Sequence, residues 1–244
     1  MSSRIPVPFD RALFLRLTAI DLVLVGITAA AGLLVVRGHM DAIPDILNVG
    51  RDWSLGEVFN YAKWGLAVAV LGAAYRRDGA RLHLGLAACM AVLLIGDAAQ
   101  LHERGRAAIG RLLDGRDWIA GTALSQVRFR MALGEVVSFG LIAAPAVLIC
   151  VQGMVGAPAH LRRTVRPLAA LAALGAVFAV AVDAAHSYSA PRSLVGGVLL
   201  LLEEGGEMVV TSAIAAYVAA AYGRAGRAAP GHPARVPARG LAPR

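Results

Sequence analysis

The chain has 244 residues, of which 58% are hydrophobic, 6% aromatic and 16% charged, and its mean hydropathy is +0.64. A soluble domain has an apolar share of about 45–50%, so the surplus must face lipid, and one bilayer-embedded domain accounts for nearly the whole length. The net charge of +8 would suit nucleic acid, but the basic residues lie in short stretches between apolar runs rather than on one face, which argues against that partner and for membrane orientation.

Residues 1–12, with Arg4 and Arg11, are expected to form a cytoplasmic N-terminus. Residues 13–222 form the transmembrane helical domain in this reading, and 223–244 a tail. Crossing a hydrocarbon layer takes about 20 residues at a rise of 1.5 Å each. The first run, Leu13 to Val36, exceeds a signal-peptide core of about 7–15 residues and reads as an uncleaved helix. Arg37 to Asp52 then balances two arginines with Asp41, Asp45 and Asp52. A second run spans Gly56 to Tyr75, and after Arg76, Arg77 and Arg81 a third spans Leu82 to Ala99. The long mixed segment Gln100 to Arg130 has room for an interfacial helix around Ala107 to Leu113. A fourth run covers Met131 to Val151, and Arg162, Arg163 and Arg166 precede a fifth, Leu168 to Ala185. The sixth, Leu194 to Tyr222, is long enough to tilt. Arginines collect in cytoplasmic loops, so the fold class predicted is all-α: a polytopic transmembrane bundle of about six helices, both termini inside, in a bacterial inner membrane. The tail holds Arg224, Arg227 and repeated Pro and Gly, too little apolar surface to order itself. Cys89 and Cys150, both inside apolar runs, read as inert buried thiols and not as a disulfide framework.

A faint echo runs through the chain. Leu55-Gly56-Glu57-Val58 and Leu133-Gly134-Glu135-Val136 open the second and fourth helices, while Asp97-Ala98-Ala99 and Asp183-Ala184-Ala185 close the third and fifth. Two copies of a two-helix unit would produce that order as a parallel repeat.

Charge within a membrane costs roughly 2.5–3.5 kcal/mol per group on insertion scales, so each such group needs a partner or a wet cavity. Glu57 and Glu135 lie just inside the outer ends of their helices. Asp97, with His102 and Glu103 beyond it, lies at the outer end of the third, Asp183 and His186 at that of the fifth, and Glu203, Glu204 and Glu207 within the sixth. Five helices therefore place acidic or imidazole groups in the outer half. Asp183 and His186 are three apart and Glu203 and Glu207 four apart, so each pair shares a helix face. Gly205 and Gly206 between the glutamates allow a neighbour to approach closely.

Converging carboxylates with one or two imidazoles suit a divalent cation such as iron, zinc or manganese, and Asp183-x-x-His186 has the Glu-x-x-His offset of ferritin-like bundles. Asp97 and His102 lie about 140° apart around a helix, so they can share an ion only if the helix ends or bends between them. No HExxH or three-histidine zinc set is present. Lys63, the chain's only lysine, is expected to pair with a buried glutamate. Gln100, Ser138, Ser187 and Tyr188 are candidate pocket-completing groups. Trp53, Trp64 and Trp118 read as interfacial or packing residues, and His39, His83, His160 and His232 are left out of the site. Glu57, close to a helix start, has an equally good explanation in the helix dipole.

Gly96-Asp97-Ala98-Ala99-Gln100-Leu101-His102-Glu103 (DAAxxHE) and Leu202-Glu203-Glu204-Gly205-Gly206-Glu207-Met208 (EEGGE), with Leu55-Gly56-Glu57 through Tyr61 as a weaker third segment, resemble signatures of uncharacterised bacterial polytopic membrane proteins. That resemblance implies no established activity. A looser likeness to membrane metallohydrolases of the ceramidase type lacks their three-histidine zinc set. The leading expectation is an outward-facing metal site using Glu57, Asp97, His102, Glu135, Asp183, His186, Glu203 and Glu207, supported by Lys63, Gln100, Glu103 and Glu204, in an enzyme acting on a lipid or amphiphile. The alternative is a proton- or cation-coupled carrier using the same acids, against which the apolar inner halves of the helices count. A helper subunit whose ion pairs specify register is a third option. Beyond the lipid bilayer, a second copy or a membrane partner is left open.

Overall fold

The computed structural model describes residues 8–113, 127–187, 189 and 193–223. The expected N-terminal residues before 8, the tail after Gly223, and Trp118 and Tyr188 lie outside the described residues, as do the side chains of His102, Glu103, Glu135 and Ser187.

Helix α1 (Arg11–Val36) starts where the Asp10 carboxylate accepts from the Leu13 N–H at 2.9 Å, a side-chain cap on otherwise unpaired amides. A 3₁₀ turn (Asp45–Leu47) follows. Helix α2 (Leu55–Asp78) begins at Ser54, whose Oγ accepts from the Glu57 N–H, and stops at Gly79 in the left-handed conformation, φ 67°. Helix α3 (Arg81–Ala98) ends in a bend, with Gln100 at φ 52°, and α4 (Leu101–Leu113) leaves in a new direction. It is longer than the interfacial helix expected within that loop. Helix α5 covers Val127–Val155. Helix α6 (Ala159–Ala176) runs through a π-helical stretch, Val177–Val182, into the short α7 (Asp183–Ser187). Helix α8 (Leu194–Tyr222) is capped by Ser193. Among the described residues there is no strand, and the protein is all-α.

Among the described residues, four stretches are long and apolar enough to cross a membrane: Arg11–Val36, Arg81–Ala98, Val136–Val155 and Ala159–His186. Helices α2 and α8 carry more charge, and packing explains how they are accommodated. Helix α8 packs against α1, α2, α6, α7 and the π-helical stretch, and α2 against α1, α3 and α8. The charge-bearing helices thus pack against each other, with the apolar α1, α3 and α6 flanking them, as the cost of charge in hydrocarbon demands. The repeat seen in sequence does not extend to packing: α2 lies along α3, whereas α5 lies along α3 and α4 and α6 along α8.

Two devices set the helix register. Trp64, Leu71, Leu82, Leu86, Ile214 and Tyr217 form an apolar core among α2, α3 and α8. Beside it, α3 and α5 come into backbone contact, since a Cβ on Gly85 would overlap the Cys150 backbone and one on Gly153 the Leu82 backbone. The second device is polar. Lys63 Nζ donates to Asp21 Oδ1 at 2.8 Å, to the Met208 carbonyl at 2.8 Å and to Ser212 Oγ at 3.2 Å, and Ser212 Oγ donates to Asp21 Oδ2. The side chains of Lys63 and Asp21 are 1% and 0% exposed.

Here the structure corrects the sequence reading. Lys63 pairs with Asp21 of α1, not with a glutamate of the acidic set. All three ammonium donors are used within the α1–α2–α8 contact, which removes Lys63 from the candidate site and makes it a structural lock.

Candidate metal centre

The acidic set lies at the end of the bundle formed by the start of α2, the end of α3, α7 and the first half of α8. Its anchor is a close group of three side chains. One ligand atom each from Asp183, His186 and Glu203 lies within 4.8 Å of the other two. His186 Nδ1 is 3.0 Å from Glu203 Oε2, and the Asp183 carboxyl lies within hydrogen-bond reach of Glu203. Two carboxyl groups in contact repel unless they share a proton or a cation. The side chains of His186 and Glu203 are 32% and 14% exposed, so the group is sheltered yet accessible.

The local fold explains the meeting. Three residues on a helix bring Asp183 and His186 to one face. The preceding π-helical stretch sets the direction of that face relative to α6, and such segments often occur at functional positions. Gly206 gives it room, because a Cβ there would overlap the Phe178 ring. Gly205 similarly faces Val25 of α1. The two glycines of the EEGGE segment therefore let α8 contact two different neighbours, while Glu203 and Glu207 project from its acidic side.

The remaining predicted residues divide into three sets. Glu204 and Glu207 lie within Coulombic range of Glu203, Glu57 and Asp97, and Glu207 also within range of Asp183. Side chains from α2, α3, α7 and α8 thus contribute to one electrostatic neighbourhood, of which Asp183, His186 and Glu203 are the tight part. Glu57, by contrast, serves its own helix start: its Oε2 accepts from the Trp53 N–H at 2.7 Å and from the Tyr61 hydroxyl at 2.7 Å. With Ser54 it forms a close variant of the capping box. The bend at Gln100 supplies the break that Asp97 and His102 would need to face one ion, although the His102, Glu103 and Glu135 side chains lie outside the described residues.

Ser138, a candidate pocket group, instead donates to the Gly134 carbonyl at 2.7 Å and packs where Gly105 of α4 meets α5. Trp64 is a core residue, and Trp53 is exposed with its ring edge on Tyr61, 5.5 Å between centroids. The residue that sequence reasoning missed is Asp21, a single carboxylate in the middle of an apolar run. The available signal was the cost of leaving it alone there, together with one unmatched lysine elsewhere in the chain.

A family model described as a domain of unknown function (DUF8692) matches residues 17–221. The chain belongs to this family. Its matched region begins within α1 and ends one residue before the last of α8, so it takes in the acidic set and the Asp21–Lys63 lock together. No curated protein and no solved structure matches the chain.

Proposed function

We propose that this protein is a multi-pass membrane metalloprotein that holds a divalent cation through Asp183, His186 and Glu203 near its non-cytoplasmic surface. The observation behind this reading is the 4.8 Å grouping of three ligand atoms from α7 and α8. Metal–oxygen and metal–nitrogen bonds of about 2.0–2.2 Å put adjacent ligands roughly 3 Å apart, so small side-chain rotations would close the group around an ion. Two carboxylates and one imidazole suit iron, manganese or zinc. Glu204, Glu207 and Asp97 would supply further carboxylates. Glu57 would orient the start of α2. A cation at this depth would polarise a water or an oxygen of a lipid or other amphiphile, which is the substrate class the location favours.

One observation favours a second reading, a proton- or cation-coupled carrier. Below Glu207 the polar side of α8 continues through Ser212 to Lys63 and Asp21, so this part of the interior is not wholly apolar.

Elemental analysis of purified parent and Asp183→Ala/His186→Ala protein separates the two. The expected result is a bound divalent metal in the parent and its loss in the double variant, with both proteins folded. Metal-free, folded parent would overturn the metalloprotein reading, and proton flux measured in liposomes would then test the carrier.

A further inference from the structure

The two cysteines stand apart from the acidic set and are brought together by a different contact. Cys89 lies on α3 and Cys150 on α5, and both are free thiols. The helices pack antiparallel with Leu82 opposite Gly153 and Gly85 opposite Cys150, in backbone contact at both points. Cys89 is one turn beyond Gly85 on the same face, and because side chains lean toward the N-terminus of their own helix, the two thiols of these antiparallel helices lean toward each other across that turn and interact. A disulfide needs Cα atoms about 4.4–6.8 Å apart and side chains directed at each other. A one-turn offset is about 6 Å along the axis, at the upper end of that span, so bond formation would draw α3 and α5 along each other at a contact where no side chains intervene.

We propose that Cys89 and Cys150 form a reversible intramembrane disulfide whose oxidant is a lipid-soluble quinone. Depth selects the oxidant. In the 18-residue helix α3, Cys89 is about 12 Å from one end and about 13 Å from the other by the helical rise. A charged, water-soluble disulfide such as oxidised glutathione does not reach that level, whereas a quinone dissolves there, and both thiols are only half-buried. The exchange balances: the two thiols give up two electrons and two protons, the S–S bond forms, and the quinone becomes quinol. The bond would fasten α3 to α5, and so fix the helix whose last turn carries Asp97 against the one that carries Glu135.

The test uses the full chain in lipid nanodiscs. Parent protein is incubated with decylubiquinone, with oxidised glutathione, or with neither. Free thiols are then blocked with N-ethylmaleimide in detergent, disulfides are reduced, and released thiols are labelled with a polyethylene glycol maleimide. The expected result is two added labels per chain after quinone treatment only, on a band that migrates as monomer without reductant, and a cross-linked Cys89–Cys150 peptide by mass spectrometry. Cys89→Ser and Cys150→Ser should each show no label. Thiols that remain fully blockable after quinone exposure would overturn the proposal. Equal oxidation by glutathione disulfide would overturn the assignment of a lipid-soluble oxidant.

Discussion

The Asp21–Lys63 lock makes a quantitative claim that a double-mutant cycle can test. Lys63→Met keeps a similar shape but leaves the Asp21 carboxylate, 0% exposed, with Ser212 as its remaining bonded partner; Asp21→Asn leaves the ammonium, 1% exposed, without its counter-charge. Removing one member of a buried pair costs about 3–5 kcal/mol, whereas removing both charges is often nearly neutral. The double variant still loses the bonds of Lys63 to the Met208 carbonyl and Ser212, at about 1 kcal/mol each, giving a net cost of about 2 kcal/mol. If the singles added independently, the double would cost roughly 6–10 kcal/mol, so a coupling of at least about 4 kcal/mol is expected. Equilibrium unfolding in mixed detergent–SDS micelles measures all four corners of the cycle. Additive singles, or singles that each cost less than about 1 kcal/mol, would refute the picture of a desolvated lock among α1, α2 and α8.

Three further outcomes follow from the same geometry. Metal retained by the parent should fall as pH is lowered, because carboxylate and imidazole ligands bind only when deprotonated and protons compete with the cation; equilibrium dialysis across a pH series would reveal it, and a flat profile would count against the Asp183–His186–Glu203 group. Gly206→Ala forces the Phe178 ring aside, so it should cost about 1–3 kcal/mol and weaken metal binding through the displaced π-helical stretch, with partial recovery on adding Phe178→Leu. Thr28 accepts from the Val49 N–H at 3.2 Å and donates to the Leu47 carbonyl at 2.6 Å, which docks the α1–α2 connection. Thr28→Val should therefore raise protease cleavage between residues 37 and 54, with a loss of about 1–3 kcal/mol for the unpaired backbone groups.

Much of this protein follows from local sequence alone. Hydropathy marks where the helices lie, since each of the six long apolar runs falls, to within a residue, inside one helix or a continuous helical stretch, and Ser54 with Glu57 announces the start of α2. The cost of charge in hydrocarbon also singles out the acidic residues, and a three-residue offset places Asp183 and His186 on one face. What sequence could not decide was pairing. Asp21 barely lowers the hydropathy of its run, and its partners lie 42 and 191 positions along the chain, so only the packing of α2 and α8 against α1 shows that Lys63 belongs to it. The sequence Val177 to Val182 likewise carries no mark of a π-helical turn. Its placement against Gly206, and the 3.0 Å approach of His186 to Glu203, depend on how α6 and α8 pack. Burial is a property of single segments and can be read from them; the cancellation of a buried charge is a property of two segments, and only the packed helices determine which two.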